Sequence, residues 1–380
     1  MNIIYFLEGT FNSGGIERIV TRKANWLASR GHNVSIITTD QCGRPDYFPL
    51  KGVKRIDMDL MFSKTSKKNF VKKYFQRKRL LKKEARLIDQ YVLDLKPDIM
   101  ISTFGYDKNI LPKLKDGSEK LIEIHFSRWY RLQRNRRGIG RLIDKFLTWQ
   151  DFRQVQKYET FVCLTHEDKD HWKGLNNVIV INNFIEKKTE VPALLENKKF
   201  IAVGRLSYQK GFDRLITAWK SIHKKYPDWT VEIYGDGPLK ESLIKQIRDN
   251  NLNDVVKIYP PIKDIHKKYL ESSGLIMTSH YEGLPLVMLE AMEAGLPVVT
   301  FDYKCGPKDI IKDGENGFII KDGDIDGLVV AIEKLIQSIE YRKAFGKRSY
   351  EIVKDFFPDK IIPEWERLLE ELYKRKRDIQ

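Results

Sequence analysis

Short, largely apolar runs alternate with longer segments of helical period along most of this chain. Residues 3–7, 33–38, 99–103, 121–124, 161–164 and 178–181 are runs of strand length, and a second series follows at residues 200–203, 230–234, 255–258, 275–278, 297–301 and 318–320. Such runs suit strands covered on both faces, the habit of parallel sheets. Between most of them lie stretches such as residues 17–30, which suit helices. The alternation predicts an α/β fold with parallel sheets. The polar stretch 185–199, with Pro192 and no clear period, divides the series into an N-terminal unit, residues 1–185, and a C-terminal unit, residues 186–359. In the last segment, residues 360–380, Ile361, Trp365, Leu368, Leu369 and Leu372 recur at helical spacing, and a closing amphipathic helix that packs back is expected.

A length of 380 residues and a hydrophobic share of 42% fit a globular chain of two or three domains and exclude a disordered or fibrous one. Charge changes the picture further. Of the net +16, residues 1–185 carry +15 and residues 186–380 only +1, so the N-terminal unit is built to meet a polyanion. Cys42, Cys163 and Cys305 are far apart and lack paired metal spacing, which supports neither a disulfide framework nor a zinc site and suits a reducing compartment. The apolar start, residues 1–7, is too short for a secretory signal, and no run of 18 apolar residues predicts a membrane span.

The most informative stretch is residues 279–297, a strand end, a loop with Glu282, and a helix that opens at Pro285 and stops at Gly295. Glu282 and Glu290 can both face the crevice beyond the strand, where open α/β sheets bind ligands, and they suit hydroxyl groups. The free amides around Leu286 and Val287 favour a phosphate. Val203-Gly204-Arg205 and Lys210-Gly211 sit in another strand-to-helix turn, where a guanidinium and an ammonium can neutralise a diphosphate. Gly14 and Gly15 close a third such turn near the start and permit close approach of backbone to a phosphate or sugar. The turn is no dinucleotide fingerprint, because G-x-G-x-x-G is absent. His125 ends the fourth run of the first series and is a candidate polar contact.

In this order these motifs resemble the retaining glycosyltransferases of family 4, along with Leu164-Thr165, Asn182-Asn183, Gly235-Asp236-Gly237-Pro238, Gly306-Pro307 and Asn316-Gly317. The resemblance spans nearly the whole chain, and the two glutamates separated by seven residues are its most specific element. It implies the GT-B fold, two Rossmann-like domains with parallel sheets facing across a cleft. It also implies roles: Arg205 and Lys210 on the donor diphosphate, Glu290 on the ribose hydroxyls, Glu282 on the donor sugar, His125 on that sugar from the opposite domain, Gly14 and Gly15 closing over the phosphates, and the backbone near Ile262 beside the base. His125, Glu282, Arg205 and Lys210 are the expected catalytic set. No carboxylate nucleophile, cofactor or metal is expected. Pro260 and Asp309 stand where similar proteins usually have glycine and glutamate.

Asp322, Asp324, Asp326, Gly327 and Glu333 match the spacing of a calcium loop, yet a strand precedes them and a helix begins before Glu333, so an acidic turn with a helix cap is the reading adopted. Asp57 and Asp59 read as turn carboxylates. Residues 64–86 hold eleven Lys or Arg interleaved with Phe70, Tyr74, Leu81 and Ala85, and residues 128–153 mix arginines with Trp129, Tyr130, Ile139, Leu142, Phe146 and Trp149. Both patterns suit an anionic bilayer surface. Nucleic acid would also explain the charge, but it leaves the Arg205, Lys210, Glu282 and Glu290 grouping without a purpose, and a non-catalytic sugar-nucleotide binder of the same fold is the other alternative. The expectation is a cytoplasmic glycosyltransferase, peripheral on the inner face of the membrane, that moves a hexose from a UDP-linked donor to a lipid-linked or glycan acceptor in surface-polysaccharide assembly.

Overall fold

A computed structural model describes residues 1–67, 70–134 and 136–379. Lys68 and the side chain of Phe70, part of the first basic stretch, lie outside the described residues, as does Gln380 of the closing segment.

The first lobe runs β1 (Asn2–Leu7), α1 (Gly15–Ser29), β2 (Asn33–Thr38), β3 (Val53–Asp57), α2 (Phe70–Leu95), β4 (Ile99–Ser102), β5 (Glu119–Glu123), α3 (Ile139–Val155), β6 (Thr160–Cys163), α4 (His166–His171) and β7 (Val178–Val180). The second lobe runs β8 (Lys199–Val203), α5 (Phe212–Lys225), β9 (Thr230–Tyr234), α6 (Lys240–Asp249), β10 (Val256–Tyr259), α7 (His266–Leu270), β11 (Leu275–Met277), α8 (Leu286–Glu293), β12 (Val298–Asp302), α9 (Pro307–Ile310), β13 (Gly317–Lys321), α10 (Ile325–Gln337) and α11 (Ile339–Val353). The last helix, α12 (Pro358–Ile379), closes the chain.

Each lobe is one parallel sheet between helices, with strand orders β3-β2-β1-β4-β5-β6-β7 and β10-β9-β8-β11-β12-β13. Strand order reverses between β1 and β4 in one sheet and between β8 and β11 in the other, which puts a ligand crevice beyond each pair of carboxyl ends. The loops after β1, β8 and β11 carry the glycine turn, Arg205 with Lys210, and Glu282. The expected strands fall where the apolar runs put them, with one addition. Lys54 and Arg55 interrupt the apolar pattern of β3, a half-exposed edge strand, and Asp57 ends this strand, where it pairs with Arg55 and accepts a hydrogen bond from Thr38 Oγ1 at 2.8 Å.

The apolar face of α12, Ile361, Ile362, Trp365, Leu369 and Leu372, packs into the core of the first lobe with Ile3, Tyr5 and Leu27. The polar stretch between the sheets is strapped down as it crosses. Glu293, at the end of α8, accepts the amides of Lys188 and Thr189 at 2.7 and 2.6 Å, and the Ile185 amide donates to the Phe356 carbonyl at 3.0 Å. In the acidic turn Asp324 caps α10, accepting from the Gly327 amide at 2.9 Å, while Asp322 pairs with Arg214.

The two basic helices differ. In α2, Leu80, Leu81, Ala85 and Ile88 pack against the first sheet, leaving Tyr74 and Phe75 exposed. In α3 the arrangement is inverted. Asp144, Thr148, Asp151 and Gln154 are buried against the lobe, held by Arg136, Arg131 and Lys108, whereas Ile139, Leu142, Phe146 and Trp149 are 57–77% exposed.

α2 also buries Glu84 completely, with neither carboxyl oxygen hydrogen-bonded among the described residues. Burial, reinforced by Asp107 and Asp40, pushes its carboxyl up to about 9. Burial likewise raises Asp107 to about 6. A raised folded value means that the folded state keeps its proton where the unfolded chain has lost it, so stability falls as pH rises from the unfolded value towards the folded one, at most by about 1.4 kcal/mol per pH unit. Glu84→Gln keeps the shape and removes the titration. Melting temperatures measured from pH 5 to pH 9 should fall less steeply in this variant than in the parent protein.

Candidate active site

The second lobe supplies most of the site. After β8 the chain turns through Gly204 and Arg205, and the loop of Gly235 to Pro238 packs against that turn: the Leu206 amide donates to the Asp236 carbonyl at 2.9 Å, and a Cβ on Gly237 would stand 2.5 Å from the Leu206 carbonyl oxygen. The side chain of Arg205 is exposed and without an acidic partner among the described residues. Lys210, at the end of the same loop, reaches Glu282 in the loop after β11, with Nζ 2.6 Å from Oε1. Glu282 is only 6% exposed and also accepts from Ser279 Oγ at 2.7 Å and Gln209 Nε2 at 3.2 Å. Pro285 then opens α8, no side chain caps that helix, and the amides of buried Leu286 and half-buried Val287 belong to its first turn, where no intrahelical acceptor exists.

The first lobe faces this helix end. Gly14 precedes α1 in extended conformation without a side-chain cap, and a Cβ on Gly15 would lie 3.7 Å from Leu286 Cδ1. The Gly14-Gly15 turn and the start of α8 are therefore neighbours across the cleft. Arg18, one turn into α1, forms an ion pair with Glu290 in the second turn of α8, and Tyr269 OH lies 3.5 Å from the same carboxylate. Glu282 and Glu290 are each tied to a cation and so present no free carboxylate pair to a divalent ion.

His125 lies just beyond β5, and its side chain is 3% exposed. Its Nε2 is 3.3 Å from Glu123 Oε1, and Nδ1 has no hydrogen-bond partner among the described residues. Glu123 is wholly buried, and Lys23 pairs with its other oxygen. Burial by itself would raise the Glu123 carboxyl, but the charges of Lys23 and His125 outweigh it and hold the group at about 2. Lys23, 4% exposed, lies 3.9 Å from the Trp365 ring of α12. Next to His125 the lobes meet directly: the Ser127 amide donates to the Glu282 carbonyl at 3.1 Å, and a Cβ on Gly283 would stand 2.6 Å from the His125 carbonyl oxygen.

The structure thus brings together Gly14, Gly15, His125, Arg205, Lys210, Glu282, Leu286, Val287 and Glu290 along one cleft. Ile262 stands exposed on the loop after β10, beside Tyr259, which stacks on Tyr234. Sequence reasoning missed Arg18, Lys23, Glu123, Ser279 and Gln209. Arg18 was within reach, since a cation in the first turn after Gly14-Gly15 lies beside any anion that the turn holds. The Lys23–Glu123 pair joins a helix to a strand 100 residues away and leaves no local signal.

Two Rossmann-like lobes with switch-point crevices turned towards one another define a glycosyltransferase of the GT-B class. The chain belongs to glycosyltransferase family 4: the Glycosyltransferase Family 4 model matches residues 13–188 and the Glycosyl transferases group 1 model residues 183–352. An uncharacterized glycosyltransferase of Haemophilus influenzae is 31% identical over 376 residues, covering 96% of this chain and 99% of its own length. The amylovoran biosynthesis glycosyltransferase AmsD of Erwinia amylovora is 29% identical over 386 residues, covering 97% and 99%. Among solved structures, the TarM G117R mutant of S. aureus, in complex with fondaparinux, alpha-GlcNAc-glycerol and UDP, superposes with a TM-score of 0.78 at 18% identity, covering 97% of this chain and 100% of its own.

Any side chain at position 283 must push the His125 loop away from Glu282. Gly283→Ala should lower turnover about 100-fold, the scale expected when reacting groups are displaced by about 1 Å. Steady-state kinetics beside a circular-dichroism check of the fold would measure it.

Proposed function

We propose that this glycosyltransferase moves a hexose from a UDP-linked donor to a lipid-linked or glycan acceptor with retention of anomeric configuration, at an anionic membrane surface. The observation that carries the reading is the exposed side chain of Arg205, without an acidic partner among the described residues, in the same loop as Lys210, whose ammonium reaches Glu282 just before a helix start that no side chain caps. A diphosphate is the ligand that uses all three at once. The UDP held by TarM, a protein of the same fold, supports the choice of nucleotide.

In this reading the diphosphate takes Lys210 and Arg205 as counter-charges, Glu282 turns to the hydroxyls of the donor sugar, and Glu290 meets the ribose. His125 approaches the sugar from the other lobe, and Ile262 flanks the base. The bond between the sugar C1 and the phosphate oxygen breaks, the acceptor oxygen bonds to C1 on the same face, and the acceptor proton passes to the departing phosphate. In this reading Glu282 holds the hydroxyls of the donor sugar and is not assigned as a nucleophile. Stabilising the departing anion with two cations and helix amides is the largest catalytic contribution, and no metal is needed for it.

The inverted helix α3 supports the membrane. Its outward stripe of Ile139, Leu142, Phe146 and Trp149 is flanked by exposed Arg137, Arg141, Lys145 and Arg153, and beside it lies a cavity of about 500 Å³ lined by Arg128, Trp129, Leu132 and Phe152. Apolar side chains bordered by cations fit the boundary between headgroups and acyl chains. No helix among the described residues is long and apolar enough to cross a membrane, so the contact is peripheral. By its name AmsD serves amylovoran biosynthesis, which supports a place in polysaccharide assembly.

The test is turnover of labelled UDP-hexoses on anionic vesicles that carry a lipid-linked acceptor. One UDP-hexose should give an α-linked product, and Phe146→Ser/Trp149→Ser should reduce the vesicle-bound fraction at least tenfold. An inverted product, or no turnover of any UDP-hexose, would contradict the reading.

A further inference from the structure

One group of side chains suited to a metal ion lies at the seam between the lobes, and the transfer chemistry does not use it. Asp168 and His171 stand three residues apart on α4, where side chains share a helix face. Cys305 reaches them from the other lobe, in the loop between β12 and α9. Its Sγ is 3.2 Å from Asp168 Oδ1 and 3.3 Å from His171 Nδ1, and the last two atoms are 3.8 Å apart.

Thiolate, imidazole and carboxylate are the usual donors to zinc, and a tetrahedral ion with bonds of about 2.0–2.3 Å sets its ligand atoms roughly 3.3–3.6 Å apart. The three observed separations lie close to that range. The donors are oriented by groups behind them, as metal ligands usually are. The Arg128 amide donates to Asp168 Oδ1 and Trp172 Nε1 to Oδ2, both at 3.1 Å, and the Arg128 guanidinium holds the His171 carbonyl. Cys305 has a positive φ of 69°, a conformation unfavourable for a side chain, so the surrounding structure fixes the direction of its sulfur. Cys305 and Asp168 are buried, whereas the His171 side chain is 24% exposed, which leaves a route for an ion and for a water as fourth ligand.

We propose that Asp168, His171 and Cys305 form a tetrahedral divalent-cation site, zinc by its donor chemistry, that ties the two lobes together. Binding replaces the thiol proton, which is released to solvent, with a metal–sulfur bond. Without a cation the same atoms form hydrogen bonds with one another. The ion is structural. Two of its ligands belong to the first lobe and one to the second, so it restrains their relative movement.

Cobalt(II) reports such a site through its thiolate charge-transfer absorbance. Untagged full-length protein, stripped with chelator and titrated with cobalt(II), should bind one ion with that band, and zinc should displace it. Cys305→Ser should abolish the band and Cys42→Ser should keep it. His171→Gln, at a partly exposed position that the fold tolerates more easily, should weaken cobalt binding about tenfold or more. Absence of the band in the parent protein, including binding to surface histidines alone, overturns the proposal. So does a band that survives unchanged in both Cys305→Ser and His171→Gln.

Discussion

Charge withdrawn from water has to be paired, and this requirement organises the cleft. Lys210 with Glu282, Arg18 with Glu290 and Lys23 with Glu123 are all at least three-quarters buried, and each is held by a residue distant in sequence. Removing one member of such a pair costs about 3–5 kcal/mol, because the other is left as a buried, uncompensated charge. A ligand can enter only by supplying replacement partners. The proposed nucleotide diphosphate sugar would do so: its phosphates would satisfy the cations, and its hydroxyls the carboxylates they release. Arg205, by contrast, is exposed and has no acidic partner among the described residues.

Pairing also couples the site to parts of the fold that never touch substrate. The Lys23 ammonium joins Glu123, and through it His125, to the Trp365 ring, and Trp365 belongs to the helix that closes the chain over the first lobe. The other lobe reaches the same place through Gly283, whose missing Cβ allows the His125 loop to approach. The position of His125 is thus set by the buried charges of its own lobe, by the docking of α12 and by the contact between the lobes. A cleft assembled in this way loses precision when the lobes move apart, which is where a cation bound at Cys305, Asp168 and His171 would have its effect.

Much of the architecture was legible because burial on both faces writes itself into the sequence. Runs such as residues 275–278 and 297–301 suit strands buried on both faces, and the motifs at the ends of such runs pointed to Arg205, Lys210, Glu282 and Glu290. Edge strand β3 was hidden because one of its sides is half exposed and tolerates Lys54 and Arg55. In α3 the helical period was plain, but its direction was not: only the fold shows that the polar stripe faces inward, because Arg136, Arg131 and Lys108 wait there for Asp144 and Asp151. Partnerships between distant residues were invisible for the same reason. The spacing of the cysteines could not show that Cys305 meets Asp168, a contact made only when the two lobes fold and dock.

The account stands on the grip of Arg205 and Lys210 on a pyrophosphate, which calorimetric titration with UDP measures directly. Each charge-assisted hydrogen bond is worth about 1.5–3 kcal/mol, so Arg205→Ala/Lys210→Ala should bind UDP about 100-fold or more weakly, with Arg205→Ala alone in between. An affinity unchanged in the folded double variant would contradict it.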